Sequence, residues 1–562
     1  LNQSNVDPEL FMVAGEAYLQ SGDLKKAEDY FAQAAKQDPK NAKKRTSLAL
    51  TQMMAGQVDA AFSDLQDIAA SDAGVTADLA LISAHLRREE FAKALKAIEG
   101  YEKKQPGKPM AAILQGRTLL AMRDTAGARL SFERALSMDP TYFPAVASLA
   151  ALDMADKNPD GAKKRFEAVV AKDPQNSQAL LALAELAARS GAAKNEVAKL
   201  IGNAVAANPT DAAPRLLLID YYLRNKEVKL ATSAAQDAVA AMPGSPEVLD
   251  VLGRTQQAAG ELNQAITTYN KLAGMLPQSP QPHMRLAELH MAAKNKDAAA
   301  QSLRKALEIK PDLQQAQRGT IMLDVDGKNF QGALTTARTM QKQGPGEAVG
   351  YVLEGDINAA QKNWDAAATA YRVGLKQVSA PELAIKLHSV LLASSKVADA
   401  DKFSTTWQKD NPKDVAFLLY LADGAIARKD LGVAERNYLA VIKLQPNNAM
   451  AYNNLAWVTG KLNKEGAIAY AEKANTLAPN QPALMDTLAV LMSEKGDYAK
   501  AAELQGKAVA LQPQNALFKL NLAKIHIKGG KKDLAKKELD ELVKLGEQFG
   551  GQAEVTLLIK GL

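Results

Sequence analysis

Residues 8–41, PELFMVAGEAYLQSGDLKKAEDYFAQAAKQDPKN, contain a pattern that recurs along the chain. Gly15 and Tyr18 stand three apart, Ala27 and Phe31 four apart, and Pro39 follows twelve residues after Ala27. These are helical spacings interrupted once, at Ser21-Gly22-Asp23, and ended by the proline. The small residue returns at Ala61, Ala94, Ala128 and Ala162, and from Ala231 through Ala265, Ala299, Ala333, Ala367, Ala400, Ala434, Ala467 and Ala501 to Ala535, in steps of 33 or 34 residues. Prolines keep the same register at Pro106, Pro140, Pro174, Pro209, Pro243, Pro277, Pro311, Pro345, Pro412, Pro446, Pro479 and Pro513. A repeat of two antiparallel helices follows. Small residues allow close approach, Phe31, Phe132, Phe166, Tyr269, Tyr371 and Tyr438 fill the next gap, and proline stops the second helix because it has no N–H to donate.

The period and the Gly…Tyr…Ala…Phe…Pro order resemble the tetratricopeptide repeat, although the usual tryptophan of its fourth position is absent. Sixteen units are placed, starting at 8, 42, 75, 109, 143, 177, 212, 246, 280, 314, 348, 381, 415, 449, 482 and 516. Positions below are counted from these starts. The expected fold is an all-α, right-handed superhelical solenoid over 8–546, each pair stabilised chiefly by its neighbours. Residues 1–7 form a lead-in, and 547–562 a capping segment with an apolar face in Ala553–Ile559. The first unit matches the pattern best, so further repeats are expected to have preceded Leu1. Bends are expected at Asp72-Ala73-Gly74, at the insertion near Ala193-Lys194-Asn195-Glu196, and at Val378-Ser379-Ala380-Pro381.

Composition narrows the chemistry. The 562 residues include no Cys, which removes disulfides, thiolate metal sites and a cysteine nucleophile. A formal charge of +6 over this length is too dilute for nucleic-acid binding. No apolar run reaches the ~20 residues that span a bilayer. His85, His283, His290, His388 and His526 fall at packing positions, and no nucleophile elbow, zinc helix or phosphate loop is present. Neither a cofactor, a metal nor catalysis is expected. The lysine clusters Lys43-Lys44-Arg45, Lys103-Lys104 and Lys528–Lys537 are interleaved with acids and read as solvated faces.

Binding positions are sought on the inner groove, at positions two, five, nine and twelve of each first helix. Early units place Met12, Leu19, Leu50, Leu79, Leu86, Ile113, Leu120 and Met154 there, a stripe that a partner helix or extended segment would cover, unless coiling of the superhelix buries it. Later units turn polar with Asp250, Arg254, Asp356, Asn453, Trp457, Asp486 and Lys524. Trp457, with Asn453 one turn earlier and Asn454 beside it, could stack on a ring while the amides bind a peptide backbone or sugar hydroxyls, or could simply pack. The paired Lys/Asn clamp of chaperone-binding repeats is not matched.

Several stretches, among them Leu1–Asn5 leading into Ala14-Gly15-Glu16-Ala17-Tyr18-Leu19, Asp139–Ala145, Pro214–Leu223 and Glu347–Asp356, resemble the C-terminal part of the large tetratricopeptide lipoprotein of bacterial exosortase (PEP-CTERM) systems. That resemblance implies a lipidated precursor, residence in the periplasm or at the outer membrane, and protein partners in exopolysaccharide assembly or export. Two other roles stay open: direct polysaccharide binding in the C-terminal half of the groove, and a generic adaptor or co-chaperone-like module. The composition suits a cytosolic chain equally.

Overall fold

A computed structural model describes residues 7–562, so Leu1–Asn5 of the resemblance lie outside the described residues. Among the described residues the regular structure is α-helical apart from one short 3-10 turn, Gly546–Gln548. First helices begin at Pro8, Ala42, Thr76, Met110 and Phe143, and so on to Pro482 and Ala516; each is followed by a second helix, such as Leu24–Gln37 after Pro8–Gln20. The chain is an all-α helix–turn–helix repeat solenoid. It divides into two compact units, residues 1–295 and 296–562.

Within a repeat, the turn is fixed by position fifteen. It is left-handed at Gly22 (φ 81°) and Gly260 (φ 77°), where the missing Cβ makes this easy. The same conformation is imposed on Arg123, Lys226, Lys362 and Lys429, with φ between 61° and 64°. Tertiary packing overrides local preference there. One residue later the side chains of Asp23, Asp124, Asn158 and Asp430 accept from the backbone N–H three residues on, capping the second helix. The acid in the turn therefore acts by a direct hydrogen bond as well as through the helix dipole.

Between paired helices, volumes at positions eight and twenty-four compensate. A Cβ added to Gly15 would sit 2.6 Å from the Phe31 ring, and Gly116, Gly253 and Gly355 meet Phe132, Tyr269 and Tyr371 in the same way. Where position eight is large, as Ile219 and Ile321, its cluster carries Ala235 and Ala337 at position twenty-four. In these units the gap between helices is filled once, from one side or the other; the unit starting at 75 instead packs Ile82 and Ile98 together.

Apolar clusters then join one pair to the next. Ile113, Phe132 and Ala135 pack with Ala145 and Leu149 of the following pair, and Phe417 packs with Trp407 and Ala384 of the preceding one. Beyond the last pair, helix Gln552–Lys560 buries Val555 completely and packs Leu558 and Ile559, with Leu562 just past its end, against Leu539 and Leu542.

Two lysines depart from the solvated faces expected of their clusters. Lys104 Nζ donates to the carbonyls of Ala69 (2.5 Å) and Gly74 (3.3 Å) and to the buried Asp78 (2.7 Å). It holds the link at 72–75, where the proline is missing, by neutralising free carbonyls that would otherwise need water. Lys44 is only 4% exposed and pairs with Glu9 and Asp38. Both are structural because a buried ammonium needs oxygen partners, which these sites supply.

Candidate functional site

Inner positions of the early units divide sharply in exposure. Met12 and Ile113 are buried, at 3% and 1%. Met12 packs with Phe11, Phe31 and Leu48, and Ile113 with Ala128, Phe132 and Leu149, so neither presents itself to a partner. This corrects their placement in the groove: a fifth-position side chain turns down between the helices where the local cluster has room for it. Leu50 and Leu79 remain 38% exposed. Leu86, Leu120 and Met154 are half-buried, Leu86 and Leu120 against the Ile82 and Phe132 clusters and Met154 against the Phe166 cluster.

In the unit spanning 296–562, the structure brings Asn453, Trp457 and Asp486 together. A hollow of about 600 Å³ is lined by Trp457, Lys461, Asp486, Asn521, Lys524 and Leu558, the last from the terminal helix. A smaller one of about 320 Å³ lies between Asp423, Tyr438, Asn453, Asn454 and Trp457. Trp457 and Thr487 line both, so the 39%-exposed indole is the partition between them. Lys461 Nζ stands 6.0 Å from the indole centroid, at the outer limit of a cation–π contact.

The polar floor is pre-organised by hydrogen bonds that run from one repeat to the next. Tyr371 Oη donates to Asp356 (2.6 Å), whose other oxygen accepts from Lys386 of the following pair (2.9 Å). Tyr438 Oη donates to Asp423 and accepts from Asn454 Nδ2 (3.2 Å). Gln505 (2.5 Å) and Asn521 (2.8 Å) both donate to Asp486. Position twenty-four thus sends a polar tip through the helix pair to a groove carboxylate, and position six of the next unit closes the clip. A buried hydroxyl demands such a partner. Burial raises the Tyr438 phenol far above its usual range, with the Asp423 carboxylate adding to it. Burial also raises the Asp486 carboxyl, against the pull of the Asn521 and Gln505 amides.

Asn453 is 8% exposed; its Nδ2 lies 3.4 Å from Asn454 Oδ1, while its Oδ1 has no partner. That oxygen is enclosed in the fold and is not open to a ligand. Sequence reasoning selected Trp457, Asn453 and Asp486 but missed Asp423, Gln505 and Asn521. The available signal was tyrosine instead of phenylalanine at position twenty-four, matched by an acid at position five or nine of the same unit.

The histidines hold no metal in common. His85 Nδ1 contacts Glu90 at 2.7 Å and His388 Nδ1 contacts Tyr420 Oη at 2.9 Å. Among the described residues no three His, Asp or Glu side chains cluster to hold an ion, and no helix is long and apolar enough to cross a membrane.

An all-α repeat solenoid with a half-open, hydrogen-bonded groove defines a binding protein of the repeat class. Models of the tetratricopeptide repeat match residues 8–41, 79–143, 119–186, 256–319 and 492–550. The chain belongs to the tetratricopeptide-repeat superfamily. It is 27% identical over 158 residues to the TPR repeat-containing protein PA4667 of Pseudomonas aeruginosa, a match covering 26% of each chain, so it spans about a quarter of that relative's length. Two solved structures superpose loosely. That of Naa15/Naa10 bound to HypK-THB gives a TM-score of 0.34 at 14% identity, covering 98% of this chain and 96% of the other. That of the APC/C hetero-tetramer Cut9-Hcn1 gives 0.28 at 13%, covering 93% and 97%.

Proposed function

We propose that this protein is a non-enzymatic scaffold that holds protein partners against the inner faces of its first helices. The observation that carries the reading is the half-exposure of Leu50 and Leu79 on rigid, mutually supported helices. Apolar side chains held open in this way are what a partner segment covers. We extend the proposal, on the text likeness alone, to an exosortase-linked exopolysaccharide assembly or export machine at the periplasmic face of the envelope.

The test is a pull-down from envelope extract with wild type beside Leu50→Asp/Leu79→Asp, read by mass spectrometry. Secretion or polysaccharide-assembly proteins lost from the variant support the scaffold; equal recovery overturns the assigned face. Cell fractionation of the native protein tests the location, since recovery in the cytosol removes the envelope role.

A second reading has its own observation. Trp457 between two hollows, with the Asp486–Asn521 pair nearby, supports direct polysaccharide binding. It requires carbohydrate retained by wild type and lost with Trp457→Ala.

A further inference from the structure

Away from the groove, one contact recurs between successive pairs. Position seventeen, at the start of a second helix, packs in the same apolar cluster as position ten of the next first helix: Leu262 with Leu289, Phe330 with Ile357, Trp364 with Val390 and Leu431 with Val458. The position-ten residue is at most 5% exposed in these four. Between the pairs starting at 143 and 177, position seventeen is Pro159, which is itself exposed, and Leu186 at position ten is only half-buried. A hollow of about 540 Å³ opens there, walled by Met154, Leu183, Leu186 and Leu200. That volume lies within the ~300–1,000 Å³ of ligand clefts. Its far side is formed by Ala192 and Glu196, on either side of the insertion that lengthens the turn before helix Lys194–Ala207.

The rim is unevenly charged. Lys163 pairs with Glu167 (3.7 Å) and Arg189 with Glu185 (2.6 Å). Among the described residues, Asp160 and Glu196 line the same hollow with no basic partner. We propose that this hollow is a second binding site, outside the groove, for a protein segment that inserts an aromatic side chain beside a lysine or arginine. The ring takes the place that Phe330 and Trp364 fill from within the chain, and the cation meets the carboxylates of Asp160 and Glu196. Met154, unbranched and polarisable, adjusts to the ring.

The probe is the capped hexapeptide Gly-Ser-Trp-Arg-Ser-Gly, fluorinated on its indole and titrated with the full chain by fluorine NMR. Saturable binding is expected. Pro159→Trp, which fills the hollow from within, should raise the unfolding midpoint and weaken peptide binding roughly tenfold or more. Pro159→Ala, which leaves the hollow open, should bind as the parent does. Asp160→Lys/Glu196→Lys should weaken binding roughly threefold, and the parent should prefer this peptide to one with glutamate in place of arginine. Absence of binding, a lowered midpoint or undiminished binding in Pro159→Trp, or no preference between the peptides would overturn the assignment. Leu50→Asp/Leu79→Asp should leave the titration unchanged; a loss there would move the peptide to the groove and overturn the separate site.

Discussion

The ring of Tyr371 lies so close to Gly355 that a methyl group on the glycine would overlap it. The same ring sends its hydroxyl to Asp356, so one side chain fills the space between two helices and fixes a carboxylate on the groove. Gly355→Ala is expected to cost about 2 kcal/mol, the scale of overpacking a tight core. Combined with Tyr371→Ala it should cost less than the sum of the two single changes, because the ring causing the overlap has gone. Urea midpoints of the four chains measure this; additive losses would mean that the two residues do not share the space.

Lys362 adopts φ 61° at a turn where other units have glycine. Lys362→Gly should stabilise by about 1 kcal/mol, since a Cβ is penalised in the left-handed region and the helical neighbours hold the backbone fixed. Thermal unfolding reads the gain. An equal gain from Lys362→Ala, which keeps the Cβ, would assign the effect to charge.

Asp153 is buried between Arg129 (2.6 Å) and Arg165 (2.5 Å). Its burial opposes ionisation, but the two guanidinium groups prevail and hold the carboxyl below its usual 3.8. Its contribution to stability is therefore present above that value and lost as pH falls through the lower folded pKa. Asp153→Asn should cost about 3 kcal/mol at pH 7, as breaking a buried ion pair does, and the difference should shrink in acid. Asp486 runs the other way: its raised folded pKa makes its contribution fullest below the unfolded value and lost as pH rises through the folded one. Urea titrations of Asp153→Asn and Asp486→Asn across pH should slope in opposite directions relative to wild type.

Trp457 is 39% exposed and Trp407 is 9% exposed, its indole N–H held by Asp414 at 2.8 Å. Iodide should quench the Trp457 emission strongly, and Trp457→Phe should remove most of the quenchable signal while shifting stability by no more than about 0.5 kcal/mol. A larger loss of stability would make this indole a packing residue and weaken the polysaccharide reading.

The periodicity of Ala27, Phe31 and Pro39 carries the repeat because each answers a local demand: close approach, gap filling, chain reversal. The same logic selected Trp457 and Asn453 as groove candidates, and the structure sets both beside one hollow. It failed where the demand is set by a neighbour. Met12 and Ile113 occupy positions equivalent to Leu79, yet burial at the fifth position depends on the volume left by the adjoining pair, which no single unit encodes. The left-handed turn at Lys362 was likewise invisible, since lysine carries no preference for it. The roles of Lys44 and Lys104 were hidden too, because their partners Asp38, Glu9 and Asp78 come from other helices or links.

The exchange of volume between positions eight and twenty-four also governs how such an array can be rearranged. A crossover that joined the helix bearing Ile321 to the helix bearing Tyr371 would force two large side chains into one gap, while the reciprocal product, Gly355 facing Ala337, would leave a void. Recombination that preserves folding must therefore exchange intact helix pairs, with breakpoints in the proline-bearing links and not in the turns. In this chain the unit of inheritance is the pair.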